Sequence, residues 1–181
     1  MHNYYRGVIA SGWAADPKSV YAPRASKMTA LKYECATYAK DAADKVKTCT
    51  YPVPDPTKGV QNTHKIDNWT ITHQEALEQA LAAWYGELEA SGGIGADPTY
   101  ADDMKTKLGN YVNLANEANT VVGCAVETCK KEGYTLVACQ YDSPLNDGDP
   151  IYTPGKTCSK CKETAANKQC ETQGAKALCI P

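Results

Sequence analysis

Between Gly109 and Cys161 the chain alternates turns, cysteines and apolar strand, and that order restricts the fold more than any other feature. The segment reads Gly109-Asn110-Tyr111, Gly123-Cys124-Ala125-Val126-Glu127-Thr128-Cys129, Leu136-Val137-Ala138-Cys139-Gln140-Tyr141 and Leu145-Asn146, followed by Cys158-Ser159-Lys160-Cys161. The runs 121–126 and 134–139 predict paired strands joined by a turn containing lysine and glycine. Nine cysteines against three histidines predict disulfide staples and an oxidising, extracellular compartment. Four bridges at about 2–4 kcal/mol each would make such a molecule durable outside cells. The odd count leaves one cysteine without a partner in this chain. Asn68-Trp69-Thr70 is a glycosylation sequon, consistent with secretion.

Charge excludes several partners. With 22% charged residues and a net charge of -2 there is no basic field for nucleic acid or an anionic membrane surface. No apolar run approaches the roughly 18 residues that span a bilayer, so no membrane insertion is expected. Met1-His2-Asn3-Tyr4-Tyr5-Arg6 lacks the apolar core of a signal peptide, which is expected to have been removed or to lie upstream.

Residues 1–150 alternate helical and strand patterns, whereas 151–181 is polar with four cysteines in its last 24 residues. Such a tail builds no core of its own and is expected to be held by its cross-links. Met28, Leu31, Tyr38, Ala42 and Val46 fall on one face of a helix running toward Cys49. Thr72-x-x-Glu75 has capping-box spacing, and Leu77, Leu81, Trp84 and Leu88 form the stripe of a helix ended by Gly92-Gly93. Between them, 50–63 carries Pro52, Pro54, Pro56 and Gly59 and reads as an irregular loop. Helices followed by an antiparallel pair predict a layered α+β domain.

These residues, with His2-Asn3-Tyr4-Tyr5-Arg6 and Trp84-Tyr85-Gly86-Glu87-Leu88, resemble the CAP superfamily of cysteine-rich secretory, antigen 5 and pathogenesis-related proteins. Ala22-Pro23 before Met28, Lys32-Tyr33-Glu34-Cys35 and Cys158-x-x-Cys161 are similar to its nematode activation-associated secreted type. Residues 136–146 follow the family's second signature, departing at Ser143. The resemblance implies a three-layer α-β-α sandwich with a central antiparallel sheet over 1–150, then a cysteine-rich hinge over 151–181. It also implies the pairs Cys49–Cys129, Cys124–Cys139, Cys158–Cys170 and Cys161–Cys179. Cys35 is left over, with a partner expected upstream of Met1.

Family members with an intact central cavity surround it with two histidines and two glutamates, and several bind a divalent metal there. Here Glu87 matches one glutamate, while Asn110 replaces the histidine of the Gly-His-[Phe/Tyr]-Thr-Gln motif. Asn113 replaces that motif's glutamine, and Asn116 stands where its tryptophan would be. The other histidine position is Val53, and the second glutamate falls on Asn62 or His64. At best Glu87 and His64 remain, too few for a tight zinc site. Val53, His64, Glu87 and Asn110 are therefore expected to form a degenerate cavity with no metal, no cofactor and no catalytic residue.

Other chemistry is equally unsupported. There is no Gly-x-Ser-x-Gly elbow, His-Glu-x-x-His or phosphate-binding glycine loop. His73 reads as a solvated residue beside a helix cap, and His2 as a helix-start residue that packs locally. Cys158-x-x-Cys161 reads as structural disulfide rather than a redox or zinc motif. With the cavity spent, surface and loops are expected to carry function. The resemblance implies a secreted, non-enzymatic modulator of host cells whose partner is a receptor, a platelet integrin, and which thereby inhibits platelet aggregation and adhesion. The alternative is a lipid or sterol carrier with an apolar groove between helices. The chain has no Arg-Gly-Asp, and its acidic loops at 101–103 and 146–149 read as solvated turns.

Overall fold

The computed structural model describes residues 1–171 and 177–181. The chain order is α1 (His2–Ser11), β1 (Ala15–Asp16), β2 (Val20–Tyr21), β3 (Lys32–Tyr33), α2 (Lys40–Val46), β4 (Val60–Ile66), α3 (His73–Ala90), α4 (Gly109–Ala115), β5 (Val121–Cys129), β6 (Tyr134–Tyr141), β7 (Gln169–Cys170) and β8 (Cys179–Ile180). A π-helical turn at Cys35–Ala39 leads into α2. The main sheet has the order β3-β5-β6-β4. Its long pairs are antiparallel, and only the short edge strand β3 lies parallel to β5.

Alternation along β6 makes the layers. Leu136 and Ala138 point to α2, where they meet Ala42, Val46 and Val53. Val137, Cys139 and Tyr141 point the other way, against Ala80, Leu81 and Trp84 of α3 and Leu114 of α4. Every β6 residue after Tyr134 is buried, because helices cover both faces. The result is the α-β-α sandwich that the resemblance implies, with disulfides in its C-terminal region.

Two sequence expectations are corrected. The helix predicted from Met28 starts only at Cys35, because the Glu34 carboxylate accepts the backbone N–H groups of Ala36, Thr37 and Tyr38. Those bonds hold its carboxyl below the usual carboxylate range. Upstream, Lys32 and Tyr33 are committed to pairing with Val121 and Val122, so Met28 and Leu31 are buried from extended chain. The loop predicted over 50–63 ends four residues early, at Gly59. Gly59 adopts φ 68°, and a Cβ there would lie 1.9 Å from the Tyr141 carbonyl oxygen, after which β4 pairs from Val60 onward. The helix predicted after Thr72 has both halves of its capping box, with Leu81, Trp84 and Leu88 buried.

Gly123 shows how closely the α2 side approaches the sheet. A Cβ at this position would lie 2.1 Å from the Ala39 nitrogen and 2.5 Å from the Tyr38 carbonyl carbon. Backbone atoms at both contacts leave nothing flexible to move aside. Gly123→Ala is expected to lower the urea midpoint by an amount equivalent to about 1–3 kcal/mol of overpacking. An unchanged midpoint would show that the π-helical turn can lift off the sheet freely.

The tail is more than a cross-linked appendage. Ile151, Tyr152 and Leu178 are fully buried in the cluster that contains Ile9, Ala10, Met28 and Leu88. Cys179 donates its N–H to Met28 and accepts from Ala30, so β8 is stitched to the 28–30 segment. Within the tail Cys158 bridges Cys170 and Cys161 bridges Cys179; in the sandwich Cys49 bridges Cys129 and Cys124 bridges Cys139. Cys35 is exposed and unpaired among the described residues. Among the described residues no helix is long and apolar enough to cross a membrane.

Candidate functional site

A cleft of roughly 720 Å³ opens between the proline-rich loop before β4, the start of α4 and the loops near Tyr100 and Leu145. Val53, Gln61, Lys105, Asn110 and Asn113 are among its walls. Beneath it, Glu87 on α3 faces the first turn of α4. The Asn110 amide donates to Glu87 Oε1 at 2.6 Å, and the Tyr111 N–H donates to Oε2 at 2.9 Å. Burial raises the Glu87 pKa even so, against the lowering effect of these bonds.

Beside this pair the asparagines form a second set of contacts. Asn62, fully buried on β4, donates to the Asn110 carbonyl at 2.8 Å and accepts from the Asn113 amide at 2.9 Å. It also donates to the Tyr141 hydroxyl, which is hydrogen-bonded to Nε2 of His2 at 3.0 Å. The chain of bonds thus runs from α4 through β4 and β6 to the start of α1. His2 does not pack locally as its position at a helix start suggested; its partner is 139 residues away. His73 is exposed on the first turn of α3 and reaches Thr128. His64 is half-buried on β4, with its pKa lowered by burial, and makes no hydrogen bond to Glu87 or Asn110.

His2 supplies a pH dependence. Burial, reinforced by repulsion from Arg6, lowers its pKa from 6.5 to about 3. Neutral His2 can accept a hydrogen bond from the Tyr141 hydroxyl at Nε2, whereas protonated His2 offers only a donor there. A folded-state pKa below the unfolded one contributes stability that is full above pH 6.5 and is lost as pH falls toward 3. The melting temperature should therefore drop across that window, and His2→Gln should flatten the slope. An identical slope in wild type and variant would remove His2 from the linkage.

The arrangement does not suit a metal of the kind the resemblance implies. Both Glu87 oxygens already accept hydrogen bonds, and Asn110 turns its NH₂ group, not its oxygen, toward the carboxylate. Val53 lies in the apolar layer against α2. Among the described residues, the two triads that bring three potential ligands together are His2 with Cys124 and Cys139, and Cys49 with Cys129 and Glu132. Each spends two sulfurs in a disulfide, and metal ligation needs thiolate.

The structure also joins features that are distant in sequence. Asp147 accepts the Asp102 N–H, and Tyr100 exchanges backbone bonds with Gly148 and Asp149. The two acidic loops are thus one paired structure at the cleft rim, in which Asp147 and Asp149 brace the turns. Sequence reasoning missed Asn62 as the partner of Asn110 and missed Arg6 as a structural centre. Arg6 is fully buried and donates to the carbonyls of Thr29, Leu114 and Asn116. The opening His-Asn-x-x-Arg pattern was its only signal.

Comparison with known proteins agrees with this architecture. The profile of the cysteine-rich secretory protein family, CAP, matches residues 1–141. The Ancylostoma secreted protein of Ancylostoma caninum is 29% identical over 174 residues, covering 91% of this chain. This chain spans only 40% of that relative's length. Hookworm platelet inhibitor 1, also of Ancylostoma caninum, is 28% identical over 182 residues, covering 99% of this chain and 79% of the relative. The crystal structure of NaASP2 with Zn2+ matches with a TM-score of 0.81 at 30% identity, over 88% of this chain and 84% of that one. Sequence profile, layered fold and structural neighbours coincide: the chain belongs to the CAP family of cysteine-rich secretory proteins.

Proposed function

We propose that this chain is a secreted, non-enzymatic CAP protein that inhibits platelet aggregation and adhesion by occupying an integrin on the host cell. The observation that carries the reading is the similarity to hookworm platelet inhibitor 1 along 99% of the chain. The locked cavity supports action through the outer surface: Glu87 is engaged on both oxygens, and the neighbouring groups are amides, which neither shuttle protons nor activate nucleophiles at neutral pH. Gln61, Lys105, Asn110 and Asn113 give the cleft polar walls, which suit a sterol or acyl chain poorly.

The test uses purified protein on stimulated platelets and on isolated platelet integrins, with divalent cation present and then chelated. Aggregation should be inhibited, and integrin binding should be lost with the cation, since the receptor holds the ion that an antagonist's acidic group engages. Inhibition without binding to any integrin would sink the mechanism, and no inhibition would sink the function. A co-purifying lipid detected by mass spectrometry, in a protein inactive on platelets, would favour the carrier instead.

A further inference from the structure

The turn after β4 carries Asn68-Trp69-Thr70, the one Asn-x-Ser/Thr sequence in the chain, and all three residues are exposed. Its backbone is fixed. The Asn68 N–H donates to the Ile66 carbonyl at 2.7 Å, and the Asn68 carbonyl accepts from the buried Thr135 hydroxyl at 2.9 Å. The side chain is divided in its contacts. Oδ1 accepts the Thr70 N–H at 2.8 Å and the Thr70 hydroxyl at 2.7 Å. Nδ2 donates to nothing among the described residues and faces solvent.

We propose that Asn68 is an N-glycosylation site, modified by transfer of an oligosaccharide from a lipid pyrophosphate carrier. Nδ2 would bond to the anomeric carbon of the sugar. The bond from that carbon to the pyrophosphate oxygen breaks, and the lipid pyrophosphate leaves with the electron pair. One proton is released from the amide nitrogen. The Thr70 hydroxyl, hydrogen-bonded to Oδ1, draws electron density toward the oxygen and makes the amide proton easier to remove. These contacts span two residues only, so they form in a nascent chain before the sandwich assembles. Trp69 is 45% exposed and offers an apolar ring against which the first sugar packs.

The position also determines what the glycan leaves uncovered. β4 begins with Val60 and Gln61 at the cleft and ends at Ile66, two residues before Asn68. Thr63 of β4 also lines the cleft, so five residues at about 3.3 Å each, roughly 16 Å, separate the sugar from its nearest wall. A glycan at Asn68 shields the far end of the sheet and leaves the cleft rim with its paired acidic loops accessible. The modification rests on the secretory route of the proposed function, but not on platelet activity.

The full chain, secreted from insect cells behind a leader, provides the test by mass spectrometry of the peptide containing Asn68, before and after peptide N-glycosidase. Wild type and Thr70→Ser should carry glycan that the enzyme removes, converting Asn68 to aspartate. Thr70→Ala and Asn68→Gln should be secreted and folded but bare. Folded, secreted wild type with unmodified Asn68 would overturn the site. Glycosylated and enzymatically trimmed protein should inhibit platelets with the same potency. A gain in potency on trimming would overturn the placement of the glycan away from the contact face. Inactivity of both forms, with Asn68 modified, would sink the platelet reading alone.

Discussion

Replacing Arg6 with methionine is expected to reduce the free energy of unfolding by about 3–5 kcal/mol, a large fraction of a typical domain's margin. The guanidinium is fully buried and forms no carboxylate salt bridge within 4.0 Å among the described residues. Its five hydrogen bonds go instead to Thr29, Leu114 and Asn116. Leu114 lies in the last turn of α4 and Asn116 caps it, where carbonyls lack helical partners and the helix end is negative. One side chain thus anchors α1 to the 29 segment and to the end of α4. Burial lowers its pKa to about 10, which leaves it charged at neutral pH. Methionine fills similar space but strands carbonyls at about 1–3 kcal/mol each, not additively. Arg6→Lys keeps the charge and should recover only part of the loss, because an ammonium cannot reproduce the planar fork. Chemical denaturation measures both variants, and a methionine variant within about 1 kcal/mol of wild type would refute this role.

What was legible in the sequence was mostly local. The Thr72–Glu75 box, the stripe through Leu81, Trp84 and Leu88, and the β5–β6 pair use contacts a few residues apart or strong alternation. The first helix was misread because Met28 and Leu31, buried from an extended segment, fall by coincidence at helical spacing. β4 was hidden by its own composition. Val60-Gln61-Asn62-Thr63-His64-Lys65-Ile66 shows no apolar alternation, since one face meets the α4 asparagines and the other meets Gln140. At the candidate site, Asn110 could be read as a departure from a motif. Its closure onto Glu87, 23 residues earlier on another helix, could not. His2 and Arg6 lie on the first turns of α1, but their partners lie up to 139 residues away. Buried polar groups declare themselves only through such partners, which is why the sequence pointed to the cavity's losses and not to the network that fills it.

Removing the Cys49–Cys129 bridge is the second large perturbation, with an expected loss of about 3–5 kcal/mol for a Cys49→Ala/Cys129→Ala protein. The bridge joins the chain just beyond α2 to the end of β5, a sequence separation of 80 residues that includes β4, α3, α4 and β5. In an unfolded chain that closure removes far more conformational freedom than a short loop does, about 4–5 kcal/mol by chain entropy alone. Cys124–Cys139 is different. Its separation is 15 residues, and the two cysteines are already opposite each other in the β5–β6 ladder. Its removal should therefore cost less, about 1–3 kcal/mol, with the hairpin's hydrogen bonds retained. The two losses also differ in place. Without Cys49–Cys129 the α2 layer is held on Leu136 and Ala138 by Ala42, Val46 and Val53, small contacts beside the bulk of α3 on the other face. Protease cleavage should then appear first between residues 47 and 60, next to the cleft, while the α3 face stays protected. Urea midpoints of the two double variants, with mapping of the first cut, decide the matter. A larger loss for Cys124–Cys139, or a first cut within β5–β6, would place the stabilisation in the hairpin and not in closure of the long loop.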